Sequence, residues 1–217
     1  MAPRCQCEPT CPLPPLKGKP FCAKHSRRCT RKAPLSRSEP AFQPDRYNKL
    51  FEVQDSHNCF AYAVDHMDVP PKSKCNRKSC DIPFHQPGRK SGFPKWSNIK
   101  GKRCPDLIGR LIGDVPGLQL TSFTEKCPKG SYKIAAVIDP KNDYHFYRQD
   151  SDGMWSHKPG ATRVTRKDAS KRPIYDPSLA DRDYRAKGNL NYDRFCSFMC
   201  VPRKTRKLKR GGALSIV

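Results

Sequence analysis

Asp143-Tyr-His-Phe-Tyr-Arg-Gln-Asp-Ser-Asp-Gly-Met-Trp-Ser-His-Lys-Pro-Gly160 is the stretch that decides how this chain folds. Two alternating aromatic runs flank Ser151-Asp152-Gly153, and an Asp-Gly turn between such runs predicts a β-hairpin. His145 falls near the start of the first strand, and His157 returns to roughly its level on the second. Just upstream, Tyr132-Lys-Ile-Ala-Ala-Val-Ile-Asp139 reads as a buried strand ended by Asp139-Pro140. Further upstream, Asn58-Cys59-Phe-Ala-Tyr-Ala-Val-Asp65 has helical spacing, with Asn58 as its cap. The dipole of a helix favours a thiolate at its first residue, so Cys59 and His145 are the first pair to weigh.

Around this nucleus the spacing predicts a helix from Cys59 to Met67, stopped by Pro70-Pro71, and a second over 104–113, with Pro105 in its first turn and Gly113 at its end. Leu118, Leu120 and Phe123 suggest a short strand, and Phe195-Cys-Ser-Phe-Met-Cys-Val201 a last one. Residues 71–104 and the polar stretch after Gly160 read as loop. Four segments follow: a Cys/His module at 1–30, a proline-rich linker at 31–48, a globular domain at 49–202 and a basic tail at 203–217. The prolines of the linker forbid a continuous helix, so it should run extended, anchored by Phe42 and Tyr47.

The 217 residues carry a formal net charge of +23, which calls for a polyanionic neighbour and says nothing about fold. The tail Arg203-Lys-Thr-Arg-Lys-Leu-Lys-Arg210 concentrates that charge and reads as a contact for nucleic acid or for assembly partners. No apolar run approaches membrane-spanning length, and the N-terminus shows no secretory apolar region. With twelve cysteines, a chain without an export signal is expected to hold metal before it forms disulfides.

The metal is placed at the N-terminus. Cys7-x3-Cys11-x10-Cys22-x2-His25 offers two ligand pairs joined by a loop at Lys17-Gly18-Lys19, the arrangement a tetrahedral structural zinc needs. Cys5 and Cys29 are the other thiols in reach, and which of Cys5, Cys7 and Cys29 completes the shell is open. A pair of small disulfides is the competing reading. Cys75, Cys80, Cys104, Cys127, Cys196 and Cys200 lack zinc-like spacing. They are either reduced core thiols or disulfides that form late in an assembled particle.

Cysteine hydrolysis requires a thiol, a histidine to exchange its proton and a polar group to orient that histidine. Cys59 and His145 supply the first two. Gln149, Asp150 and His157 are the local candidates for the third, with His157 preferred. Together, Asn58-Cys59-Phe-Ala-Tyr-Ala63 and the Asp143–Gly160 hairpin resemble the NlpC/P60-type papain-like cysteine hydrolases, closest to divergent members from bacteria, phages and large DNA viruses. The N-terminal Phe21-Cys22-Ala-Lys-His25 resembles small zinc-type modules of giant-virus proteins. The resemblance implies an α+β, papain-like fold with a nucleophile helix packed on an antiparallel sheet. It also implies Cys59 as nucleophile, His145 as base and cleavage of a peptide or amide bond.

Charge, basic arms and resemblance together lead to the expectation of a virion-associated minor capsid protein of a large DNA virus, built on a hydrolase-type domain. Its partners would be capsid proteins or nucleic acid, and it would assemble in the host cytoplasm or nucleus. An active packaged cysteine peptidase or amidase is the alternative. A zinc-dependent nucleic-acid binder is weaker, because no aromatic residues interleave with the basic tail to stack on bases.

Overall fold

The eight residues of β2 (Ser131–Ile138) are buried along their whole length, and the sheet is built outward from them. A strand apolar on both faces needs cover on both sides. In the computed structural model, which describes residues 3–186, 188–203, 208 and 210, β2 lies at the centre of an antiparallel five-stranded sheet of order β1-β5-β2-β3-β4. The other strands are β1 (Gln119–Thr121), β3 (Tyr144–Gln149), β4 (Trp155–Ser156) and β5 (Arg194–Pro202). The fold is α+β.

Alternation along the strands divides the core. Tyr132, Ile134, Ala136 and Ile138 of β2 join Tyr144 and Phe146 of β3 against Phe60, Leu107 and Leu111 from two helices. Ala135, Val137 and Tyr147 point the other way and pack with Trp155, Ile174, Phe198 and Tyr192, so the long irregular segment after β4 covers the second face. The polar composition of that segment concealed this role. The hairpin closes as its sequence predicts: Gly153 takes φ +87°, which only glycine adopts at no steric cost, and the Asp150 and Gly153 amides close the turn.

Helices α1 (Asp45–Asn48), α2 (Phe51–Ser56), α3 (Cys59–Ala63) and α4 (Cys104–Asp114) precede the strands. Asn58 caps α3 by accepting the Ala61 N–H at 3.2 Å. The helix stops four residues short of Met67 because Asp65 turns left-handed at φ +53°, where Arg46 and Arg148 grip its carboxylate at 2.7 and 3.2 Å. Conversely, α4 runs one residue past Gly113, since the Asp114 carboxylate accepts the Gly88 and Ser91 amides and is held in the helix. The linker anchors are in place: Tyr47 is buried against Val53 and Tyr62, with Phe42 beside them.

Disulfides join Cys7–Cys29, Cys75–Cys80, Cys104–Cys196 and Cys127–Cys200. Of the alternatives open for the six later cysteines, pairing is the one found. Cys196 is the extra residue of a bulge in β5, where Ala136 faces Ser197 and Val137 faces Phe195. The bulge re-aims Cys196 at Cys104, the first residue of α4.

No helix among the described residues is long and apolar enough to cross a membrane. The basic tail lies, apart from Arg203, Leu208 and Arg210, outside the described residues.

Candidate functional site

Cys59, at the start of α3, and His145, on β3, line one cavity of about 230 Å³. Its walls are completed by Asn58, Gln86, Tyr192 and the loop Pro159–Thr162. β4 pairs only with Arg148 and Gln149 of β3, which leaves the outer edge of β3 uncovered at residues 144–146. Cys59 occupies that edge. Its thiol donates to the Tyr144 carbonyl at 4.0 Å and receives the Phe146 backbone N–H. The imidazole of His145, between those two residues, turns to the face that holds Tyr147, His157 and Tyr192. No hydrogen bond joins the Cys59 thiol to His145 among the described residues.

Two histidines do meet. His145 Nε2 and His157 Nδ1 are 2.7 Å apart, and His157 Nε2 is 2.9 Å from the Lys167 carbonyl. A carbonyl only accepts, so His157 carries its proton on Nε2 and accepts at Nδ1. His145 must then donate from Nε2, which leaves the lone pair on its Nδ1. Of the other candidates for orienter, Gln149 donates to the Ala33 carbonyl, and Asp150 is held by Arg148 and Arg166. Neither is bonded to His145 among the described residues.

Electrostatics keeps the site neutral at rest. Burial, reinforced by the Asp143 carboxylate, pushes the Cys59 thiol well up. Burial likewise holds His145 well below the usual histidine range and brings His157 down to about 4. A thiol and an unprotonated imidazole therefore stand ready, rather than an ion pair.

Two residues that pattern reading missed position this site. Lys158 is fully buried, and its ammonium donates to the carbonyls of Gln54, His57 and Gly160, which ties the cavity loop to the segment preceding Cys59. Tyr192 packs against His145 with ring centroids 5.3 Å apart and tilted by 39°, and donates to Asp143 at 3.0 Å. An isolated lysine or tyrosine carries no local signal for such long-range contacts.

At the N-terminus, Cys5, Cys11, Cys22 and His25 present their ligand atoms within 4.8 Å of one another. His25 Nδ1 is 3.4 Å from Cys5 Sγ and 3.3 Å from Cys22 Sγ, and the Cys11 and Cys22 sulfurs are 3.7 Å apart. Tetrahedral bonds of about 2.3 Å to sulfur and 2.0–2.1 Å to nitrogen require donor separations of about 3.4–3.8 Å, so a metal ion fits the cluster. Burial pushes the Cys22 thiol up, but hydrogen bonds from the His25 backbone N–H and from neighbouring side chains outweigh it, leaving the group at about 7. Glu8 lies 3.6 Å from His25 Nε2, on the side of the imidazole away from the three sulfurs, where a carboxylate helps to orient the ring. Cys7, expected as a ligand, is instead bonded to Cys29. The Cys22 amide reaches Cys5 Sγ at 3.3 Å and turns Cys5 inward, so Cys5 completes the cluster.

No family model and no solved structure matches the chain. A curated relative does: insoluble matrix shell protein 1 of the mollusc Ruditapes philippinarum is 35% identical over 142 residues, which are 65% of this chain and 80% of the relative. The chain belongs to the insoluble matrix shell protein 1 family. This overturns the expectation of a minor capsid protein located in a virion. That expectation combines the resemblance with the basic arms and the charge of +23, and such a charge calls for a polyanionic neighbour without distinguishing a virus particle from another kind of matrix.

Proposed function

We propose that the protein is a matrix-type structural protein whose α+β domain carries a thiol hydrolase centre of papain-like, NlpC/P60 type. Cys59 is the nucleophile, His145 the base and His157 the positioning residue. One observation carries this reading: the chain Lys167 carbonyl–His157–His145 leaves the lone pair of His145 on Nδ1, in a residue lining the same cavity as Cys59. In the proposed reaction His145 Nδ1 takes the thiol proton as Sγ attacks the carbonyl carbon of an amide. The proton then passes to the leaving amine, and water, deprotonated by His145, releases the acid and restores the thiol. For the first step the thiol must leave the Tyr144 carbonyl and turn to His145 Nδ1, with the imidazole still held by His157. Zinc is the metal that best suits the three sulfurs and one nitrogen of the N-terminal cluster, in a structural role.

The test pairs chemical labelling with turnover. The oxidised, zinc-loaded chain should cleave members of a fluorogenic peptide library, and iodoacetamide should modify Cys59 and abolish cleavage. Cys59→Ala should be inactive with an unchanged melting temperature. Absence of turnover together with a Cys59 that stays unmodified in the native state would sink the hydrolase reading.

A purely structural role is the second reading, favoured by the relative's name and by the four disulfides among the described residues. Here the positive charge binds acidic matrix components, and Cys59→Ala leaves every measurable property intact.

A further inference from the structure

Three of the six histidines converge on one carboxylate that neither site above uses. His57 Nε2 is 2.9 Å from Asp68 Oδ1, His66 Nε2 is 3.4 Å from it and His85 Nε2 is 3.9 Å from it. His57 and His85 are buried, while Asp68 is half-exposed and opens the cluster to solvent. We infer that His57, His85 and Asp68, with His66 as the fourth side chain in reach, form a second metal site, for a divalent transition ion of the zinc type.

The tautomer of His57 is the first argument. The Ser56 hydroxyl donates to the Glu52 carbonyl, so it can only accept from His57 Nδ1, 3.1 Å away; the Val53 carbonyl, 2.9 Å away, also only accepts. Nδ1 therefore carries the proton, and Nε2 presents its lone pair to the cluster. That lone pair accepts the Asp68 backbone N–H at 3.3 Å and lies 2.9 Å from Asp68 Oδ1, so a metal ion at Nε2 would replace one long hydrogen bond. A backbone carbonyl on the far nitrogen is also how metal-bound histidines are oriented.

His85 supplies the second. It is 2% exposed, and its Nδ1 is buried with no hydrogen-bond partner. Its Nε2, at 3.9 Å from Asp68, is beyond hydrogen-bond reach of that oxygen. An ion at Nε2 would give the nitrogen that faces Asp68 a ligand bond in place of that 3.9 Å separation, while Nδ1 stays without a partner.

Dimensions agree. The ligand atoms of His57, Asp68 and His85 lie within 4.8 Å of one another. Donors at about 2.0–2.1 Å in a tetrahedral shell stand about 3.3 Å apart, within the observed spread of distances to Asp68 Oδ1. Imidazole nitrogens with one carboxylate suit zinc, copper or nickel and disfavour calcium and magnesium, which prefer oxygen. Arg210 Nη2 grips both Asp68 oxygens at 3.0 and 3.1 Å, so metal through Oδ1 leaves Oδ2 to the guanidinium. Asn58 donates to the His85 carbonyl at 2.9 Å, which places this ion directly behind the cap of α3.

Zinc binding to the full oxidised chain, followed by native mass spectrometry and thermal melting, tests the site without reference to hydrolysis. In a Cys22→Ser background, which disables the thiolate cluster, the chain should bind one zinc and melt at a higher temperature with it. Adding His85→Gln or Asp68→Asn should weaken that binding at least tenfold and remove the thermal shift. Cobalt bound to wild-type chain should show, besides thiolate-to-metal charge transfer, a d–d band that Asp68→Asn removes. A Cys22→Ser chain that takes up no zinc, together with a cobalt spectrum unchanged by Asp68→Asn, would overturn the site, as would full-strength binding by both added variants.

Discussion

His145 donates to His157 across the diagonal of a hairpin, Nε2 to Nδ1 at 2.7 Å, and both imidazoles are buried. The register explains the meeting. Arg148 faces Ser156, so the following residue, His157, falls opposite Tyr147 and diagonal to His145, within reach of two rings on one face. Because His157 is anchored in turn on the Lys167 carbonyl, the pair has a direction: the proton sits between them and the lone pair points outward.

That direction predicts unequal effects for two substitutions at His157. Asparagine can accept from His145 and donate to Lys167, whereas alanine can do neither. His157→Ala should lower kcat of the proposed hydrolysis by about 10²-fold or more, in the range of lost general-base positioning, with little change in KM. His157→Asn should recover part of the loss. Equal losses in the two variants, accompanied by equal losses in melting temperature, would assign the pair to stability alone.

The same burial gives a pH dependence. His157 titrates at about 4 in the folded chain and near 6.5 when unfolded, and His145 is shifted in the same direction. Between those values the unfolded state binds more protons, so stability is full above pH 6.5 and falls as pH drops toward 4. For His157 the loss should reach about 3 kcal/mol. Denaturant titrations at pH 7.5 and pH 4.5 measure it, and His157→Asn should show a shallower decline; parallel curves would count against the neutral histidine pair.

What was legible in the sequence was local. The hairpin, the strand before it, the Asn58 cap and the Cys59 and His145 positions follow from turn chemistry and alternation, and the structure forms them. Helix ends followed side-chain contacts that are distant in sequence: Asp65 ends α3 because Arg46 and Arg148 meet it, and Asp114 extends α4 because Gly88 and Ser91 bond to it. The disulfides of Cys104 and Cys127 close loops of 92 and 73 residues, separations at which spacing is silent. Spacing cannot choose between Cys5 and Cys7 as the ligand that joins Cys11, and the two are separated by the Cys22 amide on Cys5 and by the bond of Cys7 to Cys29. Three histidines around Asp68 left no pattern at all.

Gln6 fastens the Cys/His segment to the body. Fully buried, its Oε1 accepts the Tyr175 and Asp176 amides at 2.6 and 3.1 Å, and its Nε2 donates to the Pro173 carbonyl at 3.2 Å. Gln6→Ala strands these groups and should cost about 2–4 kcal/mol of local stability. Trypsin cleavage at Arg27, Arg28 and Arg31 should then accelerate at least tenfold, while the global melting transition moves little. An unchanged cleavage rate would mean that the Arg31–Asp176 ion pair and the Phe21–Tyr175 packing hold the segment without Gln6.

Cys104–Cys196 joins the first residue of α4 to the bulge of β5, and its effect should exceed that of the short Cys75–Cys80 link. Closing a loop of 92 residues restricts the unfolded chain by about 4–5 kcal/mol, whereas a separation of 5 residues restricts it far less. The Cys104→Ala, Cys196→Ala double variant should therefore lose several kcal/mol in a guanidinium titration, with an increased m value as the unfolded state expands. The corresponding pair of changes at Cys75 and Cys80 should lose about 2 kcal/mol or less. If the two double variants unfold at the same midpoint, the helix-to-bulge connection is held by the packing of Leu107, Leu111 and Met199 rather than by the covalent bridge.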